Sequence, residues 1–186
     1  MNKKQIETAR LKIIPCDKKI LEAVLIGNEA LSKLLSVEVP NGWTDNDRSP
    51  FEFAYQIIKA HHSEVGWWAY LPILKKENLL VGSGGYKGKP DVAGVIEIGY
   101  EIYEPYRNTG LATEFARALV DHGFENKKVK KILAHTLAHH NASCRVLEKC
   151  GMLFTDQIYH EEDGELWCWE VPFNKRETIQ SLIYNQ

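Results

Sequence analysis

The stretch from Val92 to Leu137 constrains the fold more than any other part of the chain. "VAGVIEIGYEIY" is long, β-branched and aromatic, the composition of a strand. It hands over through "EPYRNTGLAT" to a segment, Thr109 to about Asn126, whose apolar residues recur at helical spacing. "KKILAHTL" then returns to strand character. Strand, helix and strand in immediate succession make a crossover unit, which implies an α/β domain.

The flanking segments make the sheet mixed rather than purely parallel. "TARLKIIP" alternates as a strand and ends at Pro15. Asp17 fits the N-cap of a helix carrying Ile20, Leu21, Val24, Leu25, Leu31, Leu34 and Leu35. "VPNGWTDNDRSP" is a loop, and Pro50 suits the first turn of a helix reaching about His62. "GWWAYLPIL" and "NLLVGSGGYKG" are strands joined by the turn "KKEN". Asn141 to about Cys150 is a helix stopped by Gly151, and "MLFTDQIYH" and "ELWCWEVPF" form a hairpin around "EEDG". With a short C-terminal helix, the order is β α α β β β α β α β β. Residues 1–186 are expected to form a single domain with a mixed, mostly antiparallel sheet.

Composition excludes several functions. The net charge of −2 gives neither a nucleic-acid footprint nor a polybasic membrane surface. No apolar run approaches the ~20 residues that span a bilayer, and "MNKKQIETARLKII" lacks the apolar core of a secretion signal. Cys16, Cys144, Cys150 and Cys168 show no C-x-x-C spacing, which suits a reducing cytoplasm. His139 and His140 have no carboxylate or cysteine partners at ligand spacing, so no metal is expected.

Arg107, Asn108, Thr109, Gly110, Leu111, Ala112 and Thr113 carry the chemistry at the strand-to-helix handover. A helix start leaves backbone N–H groups without partners and is electropositive. With Thr109 as the expected N-cap, the first acid is Glu114, so no carboxylate lies in the first three positions to take up those donors. Gly110 and Ala112 allow close approach by an oxygen-rich group, and Arg107 adds a charged donor. A pyrophosphate fits. Asn108 tolerates a positive φ better than most residues.

Arg107, Gly110 and Ala112, followed by "NASCRVLEKCGM" with Asn141, Ser143, Leu147, Lys149 and Gly151, resemble the two blocks of the GNAT acetyltransferase superfamily. The likeness runs from "TARLKIIP" to "WEVPF" and is nearest the RimJ/RimL-like ribosomal-protein alanine N-acetyltransferase branch. The resemblance implies a sheet splayed around "IEIGYEIY", helices on both faces, and acetyl-CoA as co-substrate without a metal. It also implies that Asn141 belongs to the CoA site and that the pantetheine arm pairs with backbone near Ile102 and Tyr103. Glu97 is expected as the base, acting through water, with Glu101 on the same strand face as its rival. Leu147 stands where many relatives place a tyrosine acid, so Ser143 is expected to donate to the leaving sulfur. The implied acceptor is a primary amine, first a protein N-terminal α-amine and second a polyamine or aminoglycoside. A CoA-binding module without catalysis is the alternative from another class. Exposed strand and hairpin edges suit a homodimer.

Overall fold

The structure, a computed structural model, describes residues 5–45 and 48–172. The described strands are β1 (Ile6–Glu7), β2 (Leu11–Pro15), β3 (Ala69–Leu74), β4 (Leu79–Leu80), β5 (Gly82–Tyr86), β6 (Val95–Ile102), β7 (Lys131–Leu137), β8 (Leu153–His160) and β9 (Gly164–Pro172). The helices are α1 (Lys18–Ile26), α2 (Asn28–Leu35), α3 (Ser49–Ala60), α4 (Leu111–Phe124) and α5 (Ala142–Lys149). One sheet runs in the order β1-β2-β3-β5-β6-β7-β9-β8, with β4 paired to β3. Only β6 and β7 run parallel among these pairs. They flank α4, as the crossover requires. The mixed, mostly antiparallel α/β sheet is therefore present as expected.

Helices cover both faces. On β3, Tyr70 and Leu74 face a core shared with Phe115 and Leu119 of α4, while Leu71 and Ile73 face a second core with Leu21, Leu31 and Ile58 of α1–α3. Being covered on both sides explains why β3 reads as a continuous apolar run rather than an alternation. β6 alternates instead: Ile96, Ile98 and Ile102 join the α4 core. Glu97, Gly99 and Glu101 therefore take the other face.

Three local expectations change. The helix from Asp17 is two helices, because Gly27 (φ 147°) ends α1 and precedes α2. Asp17 does cap α1, accepting from the Ile20 N–H at 2.9 Å. "NLLVGSGGYKG" divides into β4 and β5. Gly110, not Thr109, is the N-cap of α4. The Thr109 hydroxyl instead donates backwards to the Tyr106 carbonyl at 2.6 Å, which turns it away from the helix start. The expected C-terminal helix lies outside the described residues.

Candidate active site

The site begins with a sheet that opens. β6 pairs with β7 only from Val95–Lys131 to Glu97–Leu133, whereas β7 continues along β9 as far as Leu137. Beyond Glu97 the two parallel strands separate. Backbone alternation decides which groups face this opening. Tyr103 donates to the Val81 carbonyl and Lys87 to the Glu97 carbonyl, so odd-numbered residues of β6 turn their polar backbone groups towards β5. Those of Tyr100 and Ile102 turn the other way, into the opening. The Ile102 carbonyl accepts from Arg107 Nε at 2.8 Å. Tyr103 corrects an expectation: its N–H is held by Val81 at 2.9 Å and its carbonyl by the Tyr106 N–H at 2.8 Å, so it offers no free backbone.

A cleft of about 480 Å³ fills the opening between the end of β6 and the starts of α4 and α5. Of the residues expected at the site, Ile102, Arg107, Asn108, Gly110, Ala112, Thr113 and Ser143 line it. Asn108 (φ 63°) and Gly110 (φ 82°) both take left-handed conformations, which curl the backbone into the start of α4. No side chain caps α4. Leu111 is buried in the core, so it can contribute only its N–H. Glu114 faces away from the cleft's cations, accepting from Thr8 Oγ1 at 2.6 Å, from the Arg10 N–H at 2.7 Å and from Arg10 Nε at 2.6 Å. Burial pushes its carboxyl up, but these hydrogen bonds outweigh that and hold it below the ordinary glutamate range. Arg10 also binds the Thr109 carbonyl at 2.8 Å, so this cluster ties the helix start to the turn before β2.

The cleft is cationic. Arg145 and Lys149 line it beside Arg107. They lie four residues apart on α5, a spacing that stacks them on one helix face, and that spacing was the available sequence signal for Arg145. Arg107 also pairs with Asp45 across the surface. Such exposed pairs are worth about 0–1 kcal/mol, so an incoming phosphate can displace Asp45. The uncapped helix start, the two left-handed residues and the three cations fit a CoA pyrophosphate.

Asn141 caps α5, accepting from the Cys144 N–H at 3.1 Å and donating to the His139 carbonyl at 3.0 Å. It thereby sets the start of the helix that carries Ser143 into the cleft. Leu147 is buried in the core. Tyr100 reaches α5 instead, donating its phenol to the Ser143 carbonyl at 3.4 Å. Burial pushes that phenol well up, so it stays neutral near pH 7.

The two candidate carboxylates differ sharply in surroundings. Glu97 Oε1 is held by Lys87 Nζ at 2.5 Å and by His135 Nδ1 at 2.9 Å. Burial pushes its carboxyl up, and the hydrogen bonds from His135 and Lys87 more than reverse this, leaving it lowered. Glu97 is not among the residues lining the cleft, whereas Glu101 is. Glu101 Oε1 accepts from Thr44 Oγ1 and from Ser83 Oγ at 2.6 Å, and its Oε2 accepts from the Asp45 N–H at 3.0 Å. Among the described residues, no three His, Cys, Asp or Glu side chains form a metal-binding group. No helix among them is long and apolar enough to cross a membrane.

Comparison with known proteins identifies the family and the fold. A model of the acetyltransferase (GNAT) domain matches residues 17–153. An uncharacterized N-acetyltransferase of Bacillus subtilis, YjdG, is 28% identical over 150 residues, covering 80% of this chain and 89% of the relative. Among solved structures, a GNAT-family acetyltransferase from Bacillus anthracis has a TM-score of 0.63 at 24% identity, covering 91% of this chain and 98% of that one. RimL, a ribosomal L7/L12 α-N-protein acetyltransferase in complex with coenzyme A, has a TM-score of 0.66 at 15% identity, with 91% and 98% covered. A spermidine N-acetyltransferase chimera built on SpeG from Vibrio cholerae has a TM-score of 0.65 at 13% identity, with 90% and 98% covered. At these identities the solved structures speak for the fold, while the domain match covers most of the sequence: the chain belongs to the GNAT acetyltransferases.

Proposed function

We propose that this protein transfers acetyl from acetyl-CoA directly to the N-terminal α-amine of a polypeptide, in the manner of the RimJ/RimL-like branch. The observation that carries the reading is Glu101, at the splayed end of β6, the one carboxylate among the described residues that line the cationic cleft. A thioester held with its phosphates at the start of α4 and its arm along Tyr100 and Ile102 would bring its carbonyl carbon near that carboxylate.

The residues then divide the work. The start of α4 with Arg107, Arg145 and Lys149 holds the phosphates. Glu101 pairs with the incoming ammonium and takes its proton through water. The neutral amine attacks the carbonyl carbon, the C–S bond breaks, Ser143 donates a hydrogen bond to the sulfur as charge develops there, and the proton shed by the new amide nitrogen ends on the departing thiolate. Assigning the proton to Glu101 departs from the sequence-based choice of Glu97. What supports the change is position: Glu97, held by Lys87 and His135, lies off the cleft, whereas Glu101, itself held by Thr44, Ser83 and the Asp45 N–H, lies on its wall. Much of the acceleration comes from holding amine and thioester in attack geometry. Phe154 and Tyr159 are exposed on β8, one edge of the sheet, which supports the expected pairing of two copies.

Thiol release from acetyl-CoA, measured with N-terminal peptides, spermidine and an aminoglycoside, tests the function. Turnover with peptides and not with the small amines is expected, and turnover confined to the small amines would move the acceptor to that class. No turnover with any acceptor would leave a CoA-binding module. Glu101→Gln should lower kcat/KM about 10²-fold, the scale of general acid–base catalysis, and Glu97→Gln much less.

A further inference from the structure

A second cavity, of about 630 Å³, lies on the other face of β6 between that strand and α3. This falls within the ~300–1,000 Å³ of ordinary small-molecule sites. Its walls are Phe53 of α3 and Trp68, whose rings meet edge to face at 5.4 Å. Phe53 is 60% exposed although it is a large apolar side chain. Gly85 and Gly99 contribute to its lining from the middle of β5 and β6. A glycine inside a strand weakens it and marks a place where another group comes close. At Gly99 nothing among the described residues explains the missing side chain, because a Cβ added there would meet none of their atoms within 4 Å. Gly84 and Gly85, by contrast, are required by the fold, since a Cβ on Gly84 would lie 2.8 Å from Phe115 and one on Gly85 (φ 144°) would run into the Trp68 carbonyl.

The groove and the cationic cleft share two residues, Tyr100 and Glu101. A molecule in the groove with its amine at Glu101 therefore faces the donor site. At the far end, roughly 13 Å along the strand by its rise per residue, Lys87 lines the groove with its ammonium on Glu97. Among the described lining residues the charge pattern is thus one carboxylate, an apolar and aromatic middle, and a lysine paired with Glu97. A polyamine or aminoglycoside needs several acceptors spread along its length, whereas the described lining supplies one carboxylate, Glu101, and at the far end Glu97 is already taken up by Lys87. A peptide N-terminus suits all three parts: ammonium at Glu101, a first side chain against Phe53 and Trp68, and chain carbonyls towards Lys87.

We propose that this groove is the acceptor subsite and that it selects polypeptide N-termini whose first residue is aromatic or a large aliphatic. This deepens the N-terminal acetyltransferase reading and rests on it. Peptides differing only in the first residue (Phe, Leu, Ser or Asp), with spermidine and phenethylamine alongside, would be assayed with acetyl-CoA. The Phe and Leu peptides should exceed the Ser and Asp peptides in kcat/KM by at least about tenfold, the lower end of what apolar pockets discriminate. Gly99→Ile places a side chain in the groove and should raise KM for the Phe peptide by about tenfold or more while acetyl-CoA affinity holds. Phe53→Ala, a truncation at an exposed helix position, should narrow the gap between the Phe and Ser peptides even if the isoleucine variant misfolds. Preference for Ser or Asp would overturn the selectivity and leave the N-terminal reading standing. Acetylation of spermidine or phenethylamine with no peptide turned over would overturn that reading and this occupant together. An unchanged Phe-peptide KM in folded Gly99→Ile, with an unchanged Phe-to-Ser gap in Phe53→Ala, would remove the groove from the acceptor site.

Discussion

Glu97 is held by two partners whose hydrogen bonds lower its carboxyl against the effect of burial. A lowered folded value means that its contribution to stability is fully present above the ordinary glutamate pKa of about 4.3 and disappears as the pH falls through the folded value. Glu114, held by Thr8 and Arg10, has the same sign. Glu97→Gln should therefore reduce stability at neutral pH and flatten its decline between about pH 6 and pH 3. Urea unfolding of both proteins across that range checks this, and parallel curves would show that the Glu97 contacts add nothing. The effect is moderated because Lys87 is 65% exposed. Glu97 and Glu101 also show where a single sequence stops being informative. Their spacing places both on one strand face, but which one meets a cavity depends on α3, Thr44 and Ser83, which are remote in sequence. Asn108 was legible because its left-handed tolerance is a local property.

At the scale of elements, the start of α4 is the part of the site most open to direct attack. Gly110→Glu places an anion where the helix start and three cations would hold phosphates, and its Cβ would lie 3.4 Å from Arg10 Nη2. It should weaken CoA at least tenfold, about 1.4 kcal/mol. Gly110→Asn separates charge from backbone, since asparagine accepts φ 82° more readily than other side chains, and it should retain most of the affinity. Titration calorimetry on folded protein decides, and unchanged CoA affinity in the glutamate variant would remove the pyrophosphate from this helix start. The β6–α4–β7 crossover was readable from periodicity because each of its elements is long. The break at Gly27 was not, because Ile20 to Leu35 keep a helical spacing across it and only the φ of 147° divides them. Thr109 misled for a related reason: a threonine before an apolar helix is a usual cap, and its turn towards Tyr106 depends on the preceding 3-10 turn, Glu104–Tyr106.

Over the whole molecule, the opening between β6 and β7 interrupts the sheet, so a ligand lying there would connect β6 to the starts of α4 and α5. The mixed order of strands and helices was enough to foresee the sheet, but the opening itself came only through family likeness, since no local pattern reports that two parallel strands part after three paired residues. Filling it should stabilise the fold by mass action. A ligand at 100 times its Kd that binds only the folded state adds about 2.7 kcal/mol. For a chain of 186 residues, at about 2–4 °C per kcal/mol, that is a rise in Tm of about 5–11 °C. CoA and acetyl-CoA should both produce this rise, because the phosphates and pantetheine arm make the contacts and the acetyl group adds little. Glu101→Gln should keep the shift while losing turnover, and Gly110→Glu should lose it. Thermal unfolding of the three proteins with and without CoA then separates binding from chemistry. If saturating CoA leaves the wild-type Tm unchanged, the cleft at the splayed end of β6 is not where CoA binds. If Glu101→Gln loses the shift as well, Glu101 shapes the CoA cleft itself and the proton must be taken elsewhere.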